Sequence, residues 1–144
     1  MKDCIFCKIA NKDIFTNMVY EDDNVFAFLD DSPIEKGHTL VISKKHYKNI
    51  FDVPEDLIKE MYGITQKIIK SISKAFNVTD FNIIQNNGSK AGQSVFHYHI
   101  HIIPRYEKFR VCLGNGPALT EEKIRKGKEK FCSSEVAELI REEL

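Results

Sequence analysis

The stretch that decides both the fold and the chemistry is HYHIHIIPR, His97–Arg105, which holds three of the chain's five histidines. They occupy every second position of an apolar run. Side chains on a β-strand point alternately to its two faces, so the three imidazoles should share one face, with next-nearest neighbours roughly 7 Å apart. The opposite face carries apolar residues that we expect in the core: Phe96, Tyr98, Ile100 and Ile102.

Such a row of imidazoles points to catalysis. The ordinary pKa of imidazole is about 6.5, so the row supplies a nucleophile, an acid and a base at neutral pH. The alternative is an exposed polar face on which histidine is incidental, and strict threefold alternation argues against it.

The loop before the histidines, Asn86–Ser94 (NNGSKAGQS), is rich in glycine and small polar residues. Such a loop presents backbone N–H groups and a serine hydroxyl to an anion. It delivers Gly92, Gln93 and Ser94 next to the first histidine, so a phosphate held there would face the imidazoles. The combination indicates phosphorus chemistry.

Four further strands are predicted where apolar and β-branched stretches lie between turn-forming residues: 18–22, 24–30, 38–44 and 81–86. Between the third and fourth of these, apolar residues recur at helical spacing from Leu57 to Phe76. Asp52 with Glu55 resembles a capping box, and Pro54 suits the first turn. Because the apolar face of this helix needs covering, the predicted class is α+β, a five-stranded mainly antiparallel sheet with one long helix packed on it.

Length, charge and composition narrow the function. A chain of 144 residues suits a single domain, 1–144. Lys+Arg and Asp+Glu are both 21, so no basic field is available for nucleic acid or a membrane surface. With no long apolar segment at the start or elsewhere, we expect a cytoplasmic protein. Short C-terminal helices are predicted within 119–131 and 133–144, the second capped by Ser133 or Ser134.

The motifs together carry a family resemblance. HYHIHIIPR resembles the signature of the histidine triad, or HIT, family of nucleotide hydrolases and transferases. Further matching motifs fall in the expected order: CIFCKI at 4–9, VYEDDNVFAFLD at 19–30, KGHTLVISKKH at 36–46 and NNGSKAGQSVFH at 86–97. The resemblance covers roughly residues 3–106, and 107–144 would form a helical C-terminal extension.

The resemblance implies a reaction and a set of roles. His99 would attack the α-phosphate of a purine nucleoside phosphoramidate or a dinucleoside polyphosphate, and water would hydrolyse the resulting nucleotidyl-imidazole. His101 would bind phosphoryl oxygens or assist proton transfer, and His38 would support the triad. The implied nucleotide and phosphate contacts are Asp30 at the ribose, an apolar slot around the base, and polar groups near the phosphate: Ile5, Phe6, Ile9, Phe28, Asn86, Gly92, Gln93 and Ser94.

The resemblance also implies a zinc site. Some bacterial members are similar in holding zinc with two N-terminal cysteines, the histidine of KKH and the first triad histidine. Here these are Cys4, Cys7, His46 and His97, which would make a closed tetrahedral set and commit His97 to structure. The alternative is that the cysteines are small apolar residues in a short N-terminal helix. Cys112 and Cys132 are expected to be ordinary thiols, and no organic cofactor is expected.

Two other functions stay open. The histidines could form a catalytic zinc site that activates water, or the chain could be a nucleotide-binding module without catalysis. The ending HIIPR, with Pro104–Arg105, is similar to the dinucleoside polyphosphate hydrolase branch and departs from the Gly-Gly of many phosphoramidases, which leaves the leaving group open. The resemblance further implies a homodimer with one continuous sheet.

Overall fold

A computed structural model describes residues 3–107 and 133–144. The elements, in chain order, are α1 (Ile5–Ala10), β1 (Met18–Glu21), β2 (Val25–Leu29), β3 (Thr39–Ser43), α2 (Glu55–Phe76), β4 (Asp80–Ile84), a 3₁₀ turn (Ser89–Ala91), β5 (His99–Arg105) and α3 (Ser134–Glu142). The predicted α+β class with a five-stranded antiparallel sheet is confirmed. The helix expected within 119–131 lies outside the described residues, as do Cys112 and Cys132.

The histidine strand lies inside the sheet. The strand order is β1-β2-β3-β5-β4, and each neighbouring pair is antiparallel. His101 sits opposite Leu40 of β3 on one side and opposite Ile84 of β4 on the other. Because β5 is paired along both edges, its side chains are held in a fixed register. Within the described residues β1 and β4 are the sheet edges, and the homodimer expected to extend one of them stays a prediction.

Each face of the sheet has its own core. Tyr98, Ile100 and Ile102 are buried on the face covered by α2 and α3. The opposite face packs against α1, where Phe6 belongs to a second cluster with apolar residues of β2 and β3. The alternation predicted from the sequence therefore holds from residue 97 onward.

Phe96 departs from that alternation. Its side chain is 41% exposed, although the pattern placed it in the core. β5 begins only at His99, so Phe96 lies before the ladder that enforces the two-residue period. The strand therefore begins later than the alternation that included Phe96 predicted.

The N-terminal cap of α2 differs from the prediction, and that of α3 is one of the two serines predicted. α2 begins with Pro54 as the N-cap and has no side-chain cap. The Asp52 carboxylate instead accepts a hydrogen bond from the Lys48 N–H (3.3 Å), so the predicted capping box is wrong. In α3, Ser133 is the cap, since its hydroxyl accepts from the Val136 N–H at 3.2 Å.

A glycine sets the start of β3. Gly37 has φ +91°, a conformation that side-chain-bearing residues rarely adopt. A Cβ there would lie 3.3 Å from Pro104 Cγ and 3.4 Å from Ile72 Cγ2. The close approach fixes where the next residue, His38, enters the sheet. Within residues 3–107 and 133–144, no helix is both long and apolar enough to cross a membrane.

The packing of α2 on the sheet should dominate stability. Ile72 is fully buried, and Ile72→Ala should lower the free energy of unfolding by about 2–5 kcal/mol because it leaves a cavity. Urea denaturation measures the loss. Lys70→Ala, an exposed position on the same helix, should change it by less than about 0.5 kcal/mol. Equal stability of the Ile72 variant and the wild type would show that α2 is not anchored as described.

Candidate functional site

A cavity of about 620 Å³ opens on the α1 side of the sheet. Its walls come from α1, the segment after it, the end of β2 and the middle of β5. Its lining combines His99, His101, Asp30 and Ser94 with apolar side chains of α1, β2 and the segment after α1. A pocket with both polar and apolar lining fits a ligand that joins a charged group to a flat ring.

The backbone fixes the tautomer of His99. Its Nδ1 lies 2.6 Å from the carbonyl oxygen of His97, and a carbonyl only accepts, so Nδ1 carries the proton. The lone pair of the neutral ring is therefore on Nε2. Burial lowers the pKa of His99 below its ordinary value. The ring is packed edge-on against Phe6, with centroids 5.1 Å apart, which fixes its orientation.

His101 is held in the opposite tautomer. The Ile34 N–H donates to His38 Nδ1 (3.0 Å), so the neutral His38 ring carries its proton on Nε2. That Nε2–H donates to His101 Nδ1 at 3.0 Å. The proton of neutral His101 is then on Nε2, where it serves as a donor. The backbone thus fixes a nitrogen lone pair on His99 and an N–H donor on His101.

Burial keeps this pair of histidines neutral. It lowers the pKa of His101 to about 4, helped by the neighbouring charges of His99 and His38 and opposed by Asp30. It also lowers the pKa of His38, with Asp30 opposing the shift and Arg105 adding to it. At neutral pH both rings are uncharged, so His101 acts as a neutral hydrogen-bond donor.

Asp30 lies on the cavity wall next to this pair. Its Oδ2 is 3.4 Å from His38 Nε2 and 3.9 Å from His101 Nδ1. Its Oδ1 accepts from the Ser32 N–H at 2.8 Å. The carboxylate is therefore anchored by the backbone while facing both the imidazoles and the cavity.

The loop 86–94 differs from the expectation. The N–H groups of Gly92 and Gln93 donate to carbonyls within the loop, at 3.1 Å each. The Gln93 side chain is buried and bonds to Gly88 N–H, the Lys48 carbonyl and the Val95 carbonyl. Asn86 donates weakly to the Gly92 carbonyl (3.5 Å). Of the predicted phosphate-binding residues on this loop, only Ser94 lines the cavity. Asn86, Gly92 and Gln93 shape the loop from within.

The four apolar residues predicted around the base share one cavity. Ile5, Phe6, Ile9 and Phe28 all line the cavity. Sequence reasoning missed the segment that forms the outer wall, Ile14–Asn17, in which Phe15 is 86% exposed. The segment has neither strand nor helix periodicity, so its only signal was apolar residues between two elements.

A second cluster brings together Cys4, Cys7, His46 and His97, whose ligand atoms all lie within 4.8 Å of one another. His97 Nδ1 is 3.4 Å from Cys4 Sγ and 3.5 Å from Cys7 Sγ, and His46 Nδ1 is 3.3 Å from Cys7 Sγ. Tetrahedral zinc, with bonds of about 2.3 Å to sulfur and 2.0 Å to nitrogen, places such atoms about 3.5 Å apart. His97 Nε2–H donates to the Ser43 carbonyl (2.7 Å), which leaves Nδ1 as the coordinating nitrogen. The residues fit zinc.

The other His and carboxylate cluster fits a metal poorly. Ligand atoms of Asp30, His38 and His101 also lie within 4.8 Å of one another. However, the bond from Ile34 N–H leaves the proton of His38 on Nε2, the nitrogen that faces the cluster. A protonated nitrogen cannot coordinate. In this arrangement His38 and His101 are joined by a hydrogen bond, and the Asp30 carboxylate lies beside them.

Comparison with known proteins identifies the family. A family model described as the HIT domain matches residues 11–108. The chain belongs to the HIT family. A HIT-like protein from Bartonella henselae has a TM-score of 0.79 and 35% identity, covering 100% of this chain and 98% of that one. A zinc-bound histidine triad family protein from Mycobacterium smegmatis has a TM-score of 0.79 and 29% identity, covering 99% and 93%. The fold is the HIT fold.

Relatives within the HIT family include named enzymes. Protein hit of Bacillus subtilis is 51% identical over 107 residues, 74% of this chain and 74% of that protein. Adenylylsulfatase HINT3 of Arabidopsis thaliana is 37% identical over 142 residues, 99% of this chain and 70% of that protein. Adenosine 5'-monophosphoramidase HNT1 of Saccharomyces cerevisiae is 36% identical over 105 residues, 73% and 64%. Two of these three are named as adenosine-nucleotide enzymes.

The neutral state of the partly buried His101 should make stability depend on pH. Its pKa is lowered from 6.5 to about 4, so between these values the unfolded chain binds a proton that the folded chain does not. The free energy of unfolding should therefore fall as pH drops from about 6.5 to about 4, by up to roughly 3 kcal/mol from this residue. Urea denaturation at several pH values measures it.

The control is His101→Gln, which removes this titration. Its free energy of unfolding should fall less than that of the wild type over the same pH range. Parallel losses in the two proteins would contradict a neutral, buried His101.

Proposed function

We propose that this HIT domain cleaves the α-phosphate bond of purine nucleoside phosphoramidates or dinucleoside polyphosphates through a covalent intermediate on His99. The observation that carries the proposal is the bond from His99 Nδ1–H to the His97 carbonyl, which leaves Nε2 as a lone pair on a residue that lines the cavity. Imidazole held in this tautomer attacks without first losing a proton.

In the first step, His99 Nε2 forms a bond to the α-phosphorus and the bond to the leaving group breaks. The leaving group departs with the bonding electron pair and takes a proton from solvent. The ring becomes a nucleotidyl-imidazolium that keeps its Nδ1–H. The short contact with the His97 carbonyl supports that positive charge, because hydrogen bonds to charged donors are the stronger ones.

In the second step, water attacks the same phosphorus and breaks the bond to Nε2. One proton of the water passes to solvent, and the neutral His99 ring returns in its starting tautomer. The Nε2–H of His101 donates to the phosphoryl oxygens as charge develops on them. One such preorganised donor is typically worth about 10²- to 10³-fold in rate.

The cavity supports a nucleotide as the substrate. Its lining includes the histidines, Asp30 and the apolar side chains of Ile5, Ile9 and Phe28. We assign the phosphate to the histidines, the ribose hydroxyls to the Asp30 carboxylate and the base to the slot. The names of the HINT3 and HNT1 relatives support adenosine nucleotides as the first substrates to assay.

We also propose that zinc occupies the cluster of Cys4, Cys7, His46 and His97 as a structural ion. The distances within the cluster and the zinc-bound relative of known structure support this. Burial and the neighbouring Cys4 raise the pKa of the Cys7 thiol to about 11, so a cation is needed to make it a thiolate. When bound, the ion would supply cross-linking of α1 to the sheet.

Removal of the nucleophile should abolish turnover. His99→Ala should lower kcat for adenosine 5'-phosphoramidate by roughly 10⁴-fold or more, since the covalent route is lost. Rapid quenching of wild type without acid, followed by mass spectrometry, should find a nucleotidyl group on His99.

The matched control is His101→Gln, which should be slower by roughly 10²- to 10³-fold yet still form the adduct. Wild-type rates in His99→Ala would overturn the proposal. Turnover that yields no adduct and stops on metal removal would instead favour the metal-dependent hydrolase, and nucleotide binding without any turnover would favour the binding module.

Disruption of the cluster should release the metal. Purified wild type should contain about one zinc ion per chain, and Cys7→Ser should contain almost none and melt several degrees lower. Cys112→Ser, which changes a thiol without the Cys-x-x-Cys spacing, is the control and should keep its zinc. Elemental analysis and thermal melting measure both, and a zinc-free wild type that melts like Cys7→Ser would refute a structural zinc.

A further inference from the structure

Asp30 stands between the sugar position and the phosphate position. Its side chain is 18% exposed and lines the cavity, while its Oδ2 is 3.4 Å from His38 Nε2 and 3.9 Å from His101 Nδ1. The Ser32 N–H holds its other oxygen. A residue needed only for sugar hydroxyls has no reason to approach two imidazoles this closely.

The proton on His38 Nε2 lies near two groups that attract it. One is the neutral His101 Nδ1, which accepts it in a hydrogen bond at 3.0 Å, and the other is the Asp30 carboxylate at 3.4 Å. Asp30 does not accept the hydrogen bond, but its negative charge attracts the same proton. His38 is buried and its Nδ1 is held by the Ile34 N–H, so its ring cannot turn away from either group. The two groups therefore share the attraction for this proton, although His101 is the acceptor.

The sharing weakens the donor that faces the phosphate. A full hydrogen bond from His38 withdraws electron density from the His101 ring and makes its Nε2–H a better donor. Whatever draws the His38 proton toward Asp30 reduces this effect. Groups that donate to Asp30 reverse it, because they satisfy the carboxylate and disperse its charge.

We propose that Asp30 is a positioning residue that couples sugar binding to the chemistry at phosphorus. Ribose hydroxyls that donate to its carboxylate would release the His38 proton to His101 and so strengthen the donor to the phosphoryl oxygens. This inference rests on the proposed function, because it takes the ribose at Asp30 and the phosphate at His99 and His101. It adds that the sugar sets the rate of the reaction as well as the affinity.

Among the charged groups near His38, Asp30 is the one placed to attract its proton. Burial lowers the pKa of His38, while the nearby negative charge of Asp30 opposes that shift. Arg105 acts on His38 in the opposite sense. Asp31 also lines the cavity, but the ion-pair contacts to His38 and His101 come from Asp30. Asp31 therefore provides a control of equal charge.

Steady-state kinetics with three sugars tests the coupling. The substrates are adenosine 5'-phosphoramidate and its 2'-deoxy and 2',3'-dideoxy analogues, which remove the hydroxyl donors one at a time. In wild type, kcat should fall stepwise, by about tenfold in all, the scale of one weakened hydrogen bond. A loss confined to KM, with equal kcat for all three, would show that Asp30 only binds the sugar and would overturn the inference.

Asp30→Asn should remove the coupling. Without the carboxylate charge, kcat should become the same for the three sugars within about twofold, whereas Asp31→Asn should keep the wild-type ranking. A dependence of kcat on the sugar that persists in Asp30→Asn would overturn the inference. Absence of hydrolysis of the ribose substrate by wild type would be recognised separately, as failure of the proposed function itself.

A binding measurement supplies a readout without turnover. In wild type, AMP should shift the imidazole nitrogen resonances of His38 and His101 toward a stronger bond between them, and 2',3'-dideoxy-AMP should bind without that shift. Identical shifts from both nucleotides would defeat the coupling while leaving the site intact. Failure of AMP to bind at all would defeat the nucleotide site together with it.

Discussion

The hydrogen bond from His99 Nδ1–H to the His97 carbonyl is the constraint on which the chemistry of this HIT domain depends. It decides which nitrogen of a neutral ring is a lone pair. The same device recurs twice, in the Ser43 carbonyl that accepts from His97 and in the Ile34 N–H that donates to His38. In each case main-chain geometry assigns a tautomer, so folding of the sheet sets the proposed roles of nucleophile, donor and metal ligand on the same kind of side chain.

Burial keeps the histidine rings neutral in these tautomers. The His97, His38 and His99 rings are almost fully removed from solvent, and burial lowers their pKa values. An unpaired charge in the protein interior has a high free energy, because the surroundings polarise weakly. The rings therefore stay neutral, and their hydrogen bonds are strong. The stability of the sheet thus maintains groups that water would protonate or leave disordered.

The shared face of the histidines and the position of the long helix were predictable from sequence, because strands and helices have fixed periods. Alternation placed the histidines on one face, and helical spacing located the long helix over Glu55–Phe76 to within a few residues. The exceptions are governed by tertiary contacts. Phe96 lies before the ladder that enforces alternation, and Asp52 bonds to Lys48 N–H rather than capping the helix.

The contacts of the site were harder to predict than the fold, because they too depend on tertiary structure. The family resemblance named the residues of the cluster around Cys4 and Cys7 and of the apolar slot, because both follow from the order of motifs along the chain. Loop composition suggested amides facing an anion, but the Gly92 and Gln93 amides turned out to close the loop on itself. Nothing in the sequence shows which acceptor a given N–H will choose, nor that Asp30 lies within reach of two rings.

His97 divides its duties between side chain and main chain. The ring faces the two cysteines, while the carbonyl accepts from the His99 ring. A peptide carbonyl is present whatever amino acid the gene encodes at that position. The side chain of His97 can therefore take a structural role. A substitution at this position would keep the carbonyl that accepts from His99.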